Sequence, residues 1–181
     1  VLHIGGLSLL LVAVELVLSL SVMTLLGRIF KLPPKLTSLL AIGSSICGVT
    51  AIMAAQGAIE PEEEDTSTAI AAILTLGAIA LVTFPAIGHA LHMSQQGYGM
   101  WAGLAVDNTA ESLVTGALYG QDAGRWAILA KTARSSFIGF VVLGYAIYWF
   151  SRGLAPNGKH KGLFLWQKVP KFILGFMAIS I

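Results

Sequence analysis

The chain has 181 residues, 56% of them hydrophobic and 11% charged, with a formal net charge of +2. A soluble domain carries about 25% charged residues, so water is not this chain's only solvent, and the small net charge gives no support to nucleic acid binding. The single cysteine, Cys47, excludes an intrachain disulfide and leaves the redox compartment open.

The first apolar stretch, about residues 4–27, reaches the roughly 20 residues that a helix needs to cross about 30 Å of hydrocarbon. It is bounded by Arg28 and carries one ionisable residue, Glu15, near its midpoint. Arg28, Lys31 and Lys35 with Pro33 and Pro34 then make a short basic turn. The second stretch, 36–59, has no charge but contains Gly43-Ser44-Ser45-Ile46-Cys47-Gly48, small and helix-weakening residues that predict a break. An acidic loop, 60–65, follows, and Thr66 or Ser67 is expected to cap the third stretch, 66–93, with Pro85 kinking its end and 95–99 forming a polar turn.

The fourth stretch, 101–119, carries Asp107, Asn108 and Glu111 at its centre, so that 107–112 joins 43–48 as the second place where the chain could unwind, and the fifth, 125–151, bears Lys131 and Arg134. A turn at 153–162, an interfacial segment and the start of a sixth span from 172 complete the chain. Backbone groups cannot be left unpaired in lipid, and these runs lack the alternation of a membrane barrel, so the expected fold is all-α: a polytopic membrane helix bundle of five to six spans. The chain is read as a single membrane domain, 1–181. Because it begins at Val1, lacks a cleavable leader and stops within an apolar run, it is expected to be a piece of a longer protein.

If all five complete stretches cross, Arg28, Lys31, Lys35, Arg152, Lys159, Lys161, Lys168 and Lys171 share one side, and the acidic loop with Asp122 and Arg125 takes the other. The positive-inside rule then places the basic side in the cytoplasm. Lys131 and Arg134 either snorkel outward or face the bundle interior.

An ionised group at the bilayer centre costs at least about 2.5 kcal/mol, which makes each such residue a candidate for function. Asp107 and Glu111, four apart, would share one helix face, and two carboxylates that close cannot both ionise cheaply. Such a pair builds a proton or sodium site, with Asn108, Thr109 and Ser112 adding neutral oxygens. The plainer reading makes Lys131 or Arg134 their structural counter-ion. Glu15, alone in its span, is expected to face protein without a substrate role. His89 and His92 sit near a span end with no cluster to complete a metal site, so no metal or cofactor is expected. Neither Ser44 nor Cys47 has a histidine at a suggestive spacing, and no phosphate-cradling loop occurs, so the chain is not read as an enzyme.

The block from Gly43 to Gly48, the run Tyr98-Gly99-Met100-Trp101-Ala102-Gly103, the triplet Asn108-Thr109-Ala110, and Lys131 with Arg134 together make the chain similar to the YeiH-like sulfate exporter family of prokaryotic inner-membrane proteins. The resemblance spans nearly the whole chain. It implies the architecture of sodium/proton antiporters and bile-acid symporters, with inverted repeats and two crossing broken helices, and an inorganic or sulfonated anion as substrate. Where that family's pattern leads one to expect histidine and glutamine, this chain has Asp107 and Glu111, which suit a coupling cation better than sulfate, with the anion placed near Lys131 or Arg134.

The resulting expectation is an ion-coupled secondary transporter of the prokaryotic cytoplasmic membrane, exporting sulfate or another small anion. Its pathway residues would be Gly43, Ser44, Ser45, Cys47, Gly48, Asp107, Asn108, Thr109, Glu111, Lys131 and Arg134. Its partners would be the lipid bilayer, the anion, a proton or sodium ion, and a second copy in a homo-oligomer. The alternatives are a cation/proton exchanger without an anion substrate and a non-transporting structural membrane subunit.

Overall fold

The structure, a computed structural model, describes residues 2–149 and 151–152, with side chains from residue 12 onward. The expected turn at 153–162, the sixth span from 172, and Lys159, Lys161, Lys168 and Lys171 lie outside the described residues. Within them the fold is all-α, with eight helices and no strand.

Among the described residues, three segments are long and apolar enough to cross a membrane. They are α1 (Leu2–Ile29), α4 (Glu63–Ala90) and the pair α7 (Gln121–Ser135) and α8 (Ile138–Trp149), which are joined by a tight turn at 136–137. That turn is absent from the sequence reading. The hydroxyl of Ser136 donates to Thr132 O at 3.0 Å and Phe137 N to Arg134 O at 3.2 Å, which tightens the chain locally before helix resumes.

The second and fourth apolar stretches are each two short helices that double back. In the first, α2 (Pro34–Ser45) and α3 (Val49–Ile59) flank a break at 46–48. Had they continued in line, Lys35 and Glu60 would stand on the order of 35 Å apart at about 1.5 Å per residue. Instead Lys35 Nζ donates to Glu60 O at 2.6 Å. In the second, α5 (Gln95–Ala105) and α6 (Thr109–Tyr119) flank a break at 106–108. Its arms are tied in register by Tyr98 Oη against Thr115 Oγ1 at 3.0 Å and by Ser112 Oγ donating to Ala102 O at 3.3 Å. Just beyond the hairpin, Asp122 N donates to Gln95 Oε1 at 3.1 Å.

The two breaks therefore fall where small and polar residues predict them, but each makes the tip of a hairpin. A 28-residue helix followed by a hairpin occurs twice, α1 with α2–α3 and α4 with α5–α6, and the two units run in opposite directions. This corrects the sorting of loops. The acidic loop shares an end of the bundle with Arg28, Lys31 and Lys35, because the first hairpin returns to the side it left. Asp122 and Arg125 lie at the opposite end.

Two helix starts also differ from expectation. Helix α4 begins at Glu63, with Glu62 as its N-cap and Glu63, Glu64 and Asp65 in the first turn, where carboxylates complement the positive helix end. Thr66 and Ser67 lie inside it and return their hydroxyls to Glu62 O and Glu63 O. Residues 95–99 open α5 and are no turn, because Ser94 Oγ caps the helix by accepting from Gly97 N at 3.1 Å. Pro85 lies within α4, which runs on to Ala90.

The main core gathers Leu39, Ile42, Ile46, Ile52, Ile59 and Ile73 between the first hairpin, α4 and α8. A second, aromatic cluster fixes the other hairpin, with Tyr98 stacked on Tyr119 at 3.9 Å between ring centres and Tyr119 on His89 at 4.4 Å. Gly99 and Gly103, one turn apart, let α5 lie directly on Ala123 and Ala127 of α7. Small residues at that spacing allow the close backbone approach on which helix association in lipid depends.

Candidate functional site at the meeting of two hairpin tips

The hairpins enter from opposite ends, and their tips touch midway along the bundle. Gly48 in one tip lies against the backbone of Asp107 and Asn108 in the other. Each tip brings together a helix C-terminus, with unpaired carbonyls and partial negative charge, and a helix N-terminus of opposite sign.

Two buried cations from α7 occupy the carbonyl ends. Arg134, 1% exposed, donates from Nε to Ser45 O at 2.7 Å, from Nη1 to Leu104 O and from Nη2 to Ser44 O, thereby bridging the last turns of α2 and α5. Lys131, 0% exposed, donates from Nζ to Val106 O at 2.7 Å. Both face the bundle interior, which settles the alternative left open by their position in the sequence. A planar guanidinium reaches three carbonyls from two elements at once, which an ammonium cannot do.

Glu15 of α1 joins them, its Oε2 3.5 Å from Arg134 Nε. Nothing in the spacing of residues 15 and 134 announces this contact. The only signal in the sequence was a lone carboxylate in a span otherwise free of charge.

Asp107 and Glu111 do not share a helix face. Asp107 lies in the nonhelical segment 106–108, while Glu111 sits in the first turn of α6. Asn108 between them is the N-cap of α6, its Oδ1 accepting from Ala110 N at 3.2 Å. Glu111 packs against Gly77 of α4 so closely that a Cβ there would overlap its carboxylate, and its Oε2 is buried without a hydrogen-bond partner. Among the described residues the ion pairs are Arg134 with Glu15 and the exposed Arg125 with Asp122, so no cation lies within 4.0 Å of either Asp107 or Glu111.

The remaining candidates divide. Ser44 and Ser45 contribute backbone carbonyls to the tip, and the Ser45 hydroxyl bonds Ser19 Oγ at 3.0 Å. Gly43 is pressed against Ile52 and Ile73, and Cys47 is buried in the same apolar core, so both are packing residues at this point. Thr109 is exposed at the start of α6.

The described arrangement has no counterpart among solved structures at a significant level of similarity. A UPF0324 membrane protein of Nitratidesulfovibrio vulgaris is 34% identical over 180 residues, covering 97% of this chain and 50% of that protein. Similar proteins of the same name occur in Vibrio parahaemolyticus, 35% identical over 155 residues with 86% of this chain and 48% of that protein covered, and in Photobacterium profundum, 41% identical over 113 residues with 62% and 35% covered. The chain thus spans about half the length of the curated relatives it matches. The family model described as conserved hypothetical protein 698 matches residues 1–181, and this multi-pass membrane chain belongs to that family.

Proposed function

We propose that the chain forms the site-bearing part of an ion-coupled secondary transporter, in which Asp107 and Glu111 take up the coupling proton or sodium ion and a small inorganic or sulfonated anion is the transported substrate. The observation that carries this reading is the pair of carboxylates placed without a cation partner where two oppositely inserted hairpin tips meet. Arg134 and Lys131 act on Asp107 through space, but their N–H groups point at helix carbonyls, and Arg134 pairs with Glu15 and contacts neither carboxylate. A carboxylate in low dielectric without a counter-ion is stabilised by binding a proton or a metal cation, and either event changes the charge at the tips.

The N-termini of α3 and α6 supply the complementary partial positive charge for an anion at the same place. Arg134 acts as the clamp that holds the tips, since Nε and both terminal nitrogens each donate to a helix-end carbonyl, and one N–H on each terminal nitrogen is left over. Sulfate export is the specific form of this reading that the sequence resemblance supports. Lys and Arg gather at the end of the bundle with Arg28, Lys31, Lys35 and Arg152, which favours that end as the cytoplasmic one in a prokaryotic inner membrane.

The test is flux of sulfate and small sulfonates into proteoliposomes holding the full-length protein, with proton and sodium gradients imposed separately. Flux driven by one of the gradients is the expected result. A folded protein that moves neither anion nor cation under any gradient favours the structural-subunit reading instead.

A further inference from the structure

At the end of the bundle that carries the basic turn, α1, α2 and α8 line an open cavity of about 480 Å³. Arg28 and Arg152 line it at the end of the bundle, while Leu20, Val141 and Gly144 line it farther in. Leu20 lies two turns before Arg28 on α1, about 12 Å deeper at 1.5 Å per residue. The adjoining surface of α1, with Leu20, Ser21, Thr24, Leu25 and Arg28, is open.

Among the described residues neither arginine has a carboxylate within 4.0 Å; Arg152 lies over the Tyr148 ring at 4.9 Å, whereas Arg125 at the opposite end is paired with Asp122. The cavity therefore grades from two guanidinium groups that have no carboxylate partner among the described residues, past the hydroxyls of Thr24, Thr37 and Ser38, to Leu20, Val141 and Gly144 at the level of acyl chains. Arginine binds phosphate through paired N–H donors, and basic pockets between membrane helices suit anionic headgroups. A free inorganic anion would match the arginines and leave the apolar walls unused, and an uncharged lipid would do the reverse.

We propose that this cavity is a binding site for an anionic phospholipid, with its phosphate between Arg28 and Arg152 and an acyl chain along Leu20, Val141 and Gly144. The site is separate from the hairpin tips and stands whether or not the chain transports an ion. Gly144 offers a second way to address it, because a Cβ at that position would meet nothing within 4 Å. Gly144→Leu would fill the cavity without altering charge.

The experiment is native mass spectrometry of the full-length protein in mild detergent, after exchange with equal amounts of phosphatidylglycerol and phosphatidylethanolamine. The wild type should retain phosphatidylglycerol in preference to phosphatidylethanolamine. Retention should fall about thirtyfold in the double variant Arg28→Gln, Arg152→Gln, given roughly a kilocalorie per mole for each of the two interfacial cations. Gly144→Leu should lose the lipid too, with an unchanged melting temperature. Equal retention of the two lipids by the wild type overturns the proposal, as does unchanged phosphatidylglycerol retention in either variant that melts like the wild type. The second outcome is the one expected if another part of the protein covers the groove.

Discussion

Gly48 and Asn108 touch where the two hairpin tips meet: a Cβ placed on Gly48 would lie 3.2 Å from the Asn108 Cα. Gly48 also has φ of +68°, in the region that side-chain-bearing residues rarely adopt. Gly48→Ala therefore meets both backbone strain and a neighbouring main chain that cannot rotate away. We expect it to lower stability by about 1–3 kcal/mol, measured as the loss of melting temperature in detergent. A melting temperature equal to that of the wild type would show that the tips are not in contact.

The hairpin topology makes a prediction independent of any function. In a Cys47→Ser background, single cysteines at Lys31 and Glu62 should react with a membrane-impermeant maleimide from one face of the membrane, and cysteines at His92 and Asp122 from the other. If residues 31 and 62 label from opposite faces, the second apolar stretch crosses the membrane and the doubled-back arrangement is wrong.

Arg134 connects α7 with both tips and with Glu15. Removing it leaves three helix-end carbonyls without their donor and the Glu15 carboxylate without its counter-ion, so Arg134→Met should cost about 3–5 kcal/mol, the range for breaking a buried charged contact. Arg134→Lys should recover only part of this, because one ammonium cannot span carbonyls from two elements. Glu15→Gln keeps the shape of its partner and should cost less. A double-mutant cycle between positions 15 and 134 should give a coupling energy well above the few tenths of a kcal/mol seen for independent sites.

Asp107→Asn and Glu111→Gln should leave stability within about 1 kcal/mol of the wild type, read as a melting temperature shifted by only a few degrees, because neither carboxylate has an ion-pair partner within 4.0 Å to lose. Under the transport reading both should abolish gradient-driven flux. Loss of folding with no flux in the parent protein would instead point to a structural role.

Gly77→Ala approaches Glu111 from the opposite side. It alters no charge, but its methyl group would overlap the Glu111 carboxylate, which must then move. If the packing of the half-buried Glu111 carboxylate against α4 matters for ion uptake, flux in this variant should fall while the protein stays folded. Flux equal to the wild type would remove Glu111 from the ion site and leave Asp107 as the sole candidate.

What the sequence alone determined is what depends on local composition. Long uncharged stretches demand helices in lipid, and the small residues 43–48 and polar residues 107–112 mark where helix is weak, so the all-α membrane class and the position of both breaks follow from the chain itself. A weak point in a helix does not say whether the chain carries on or turns back. That was decided by tertiary contacts between residues far apart in the chain, such as Lys35 with Glu60 and Tyr98 with Thr115, and it reversed the side assigned to the acidic loop. The partners of the buried charges were likewise beyond local reading. Lys131 and Arg134 could be marked as interior candidates, but their choice of helix carbonyls and Glu15 over Asp107 and Glu111 depends on which helix ends converge, and a linear pattern carries no record of that convergence.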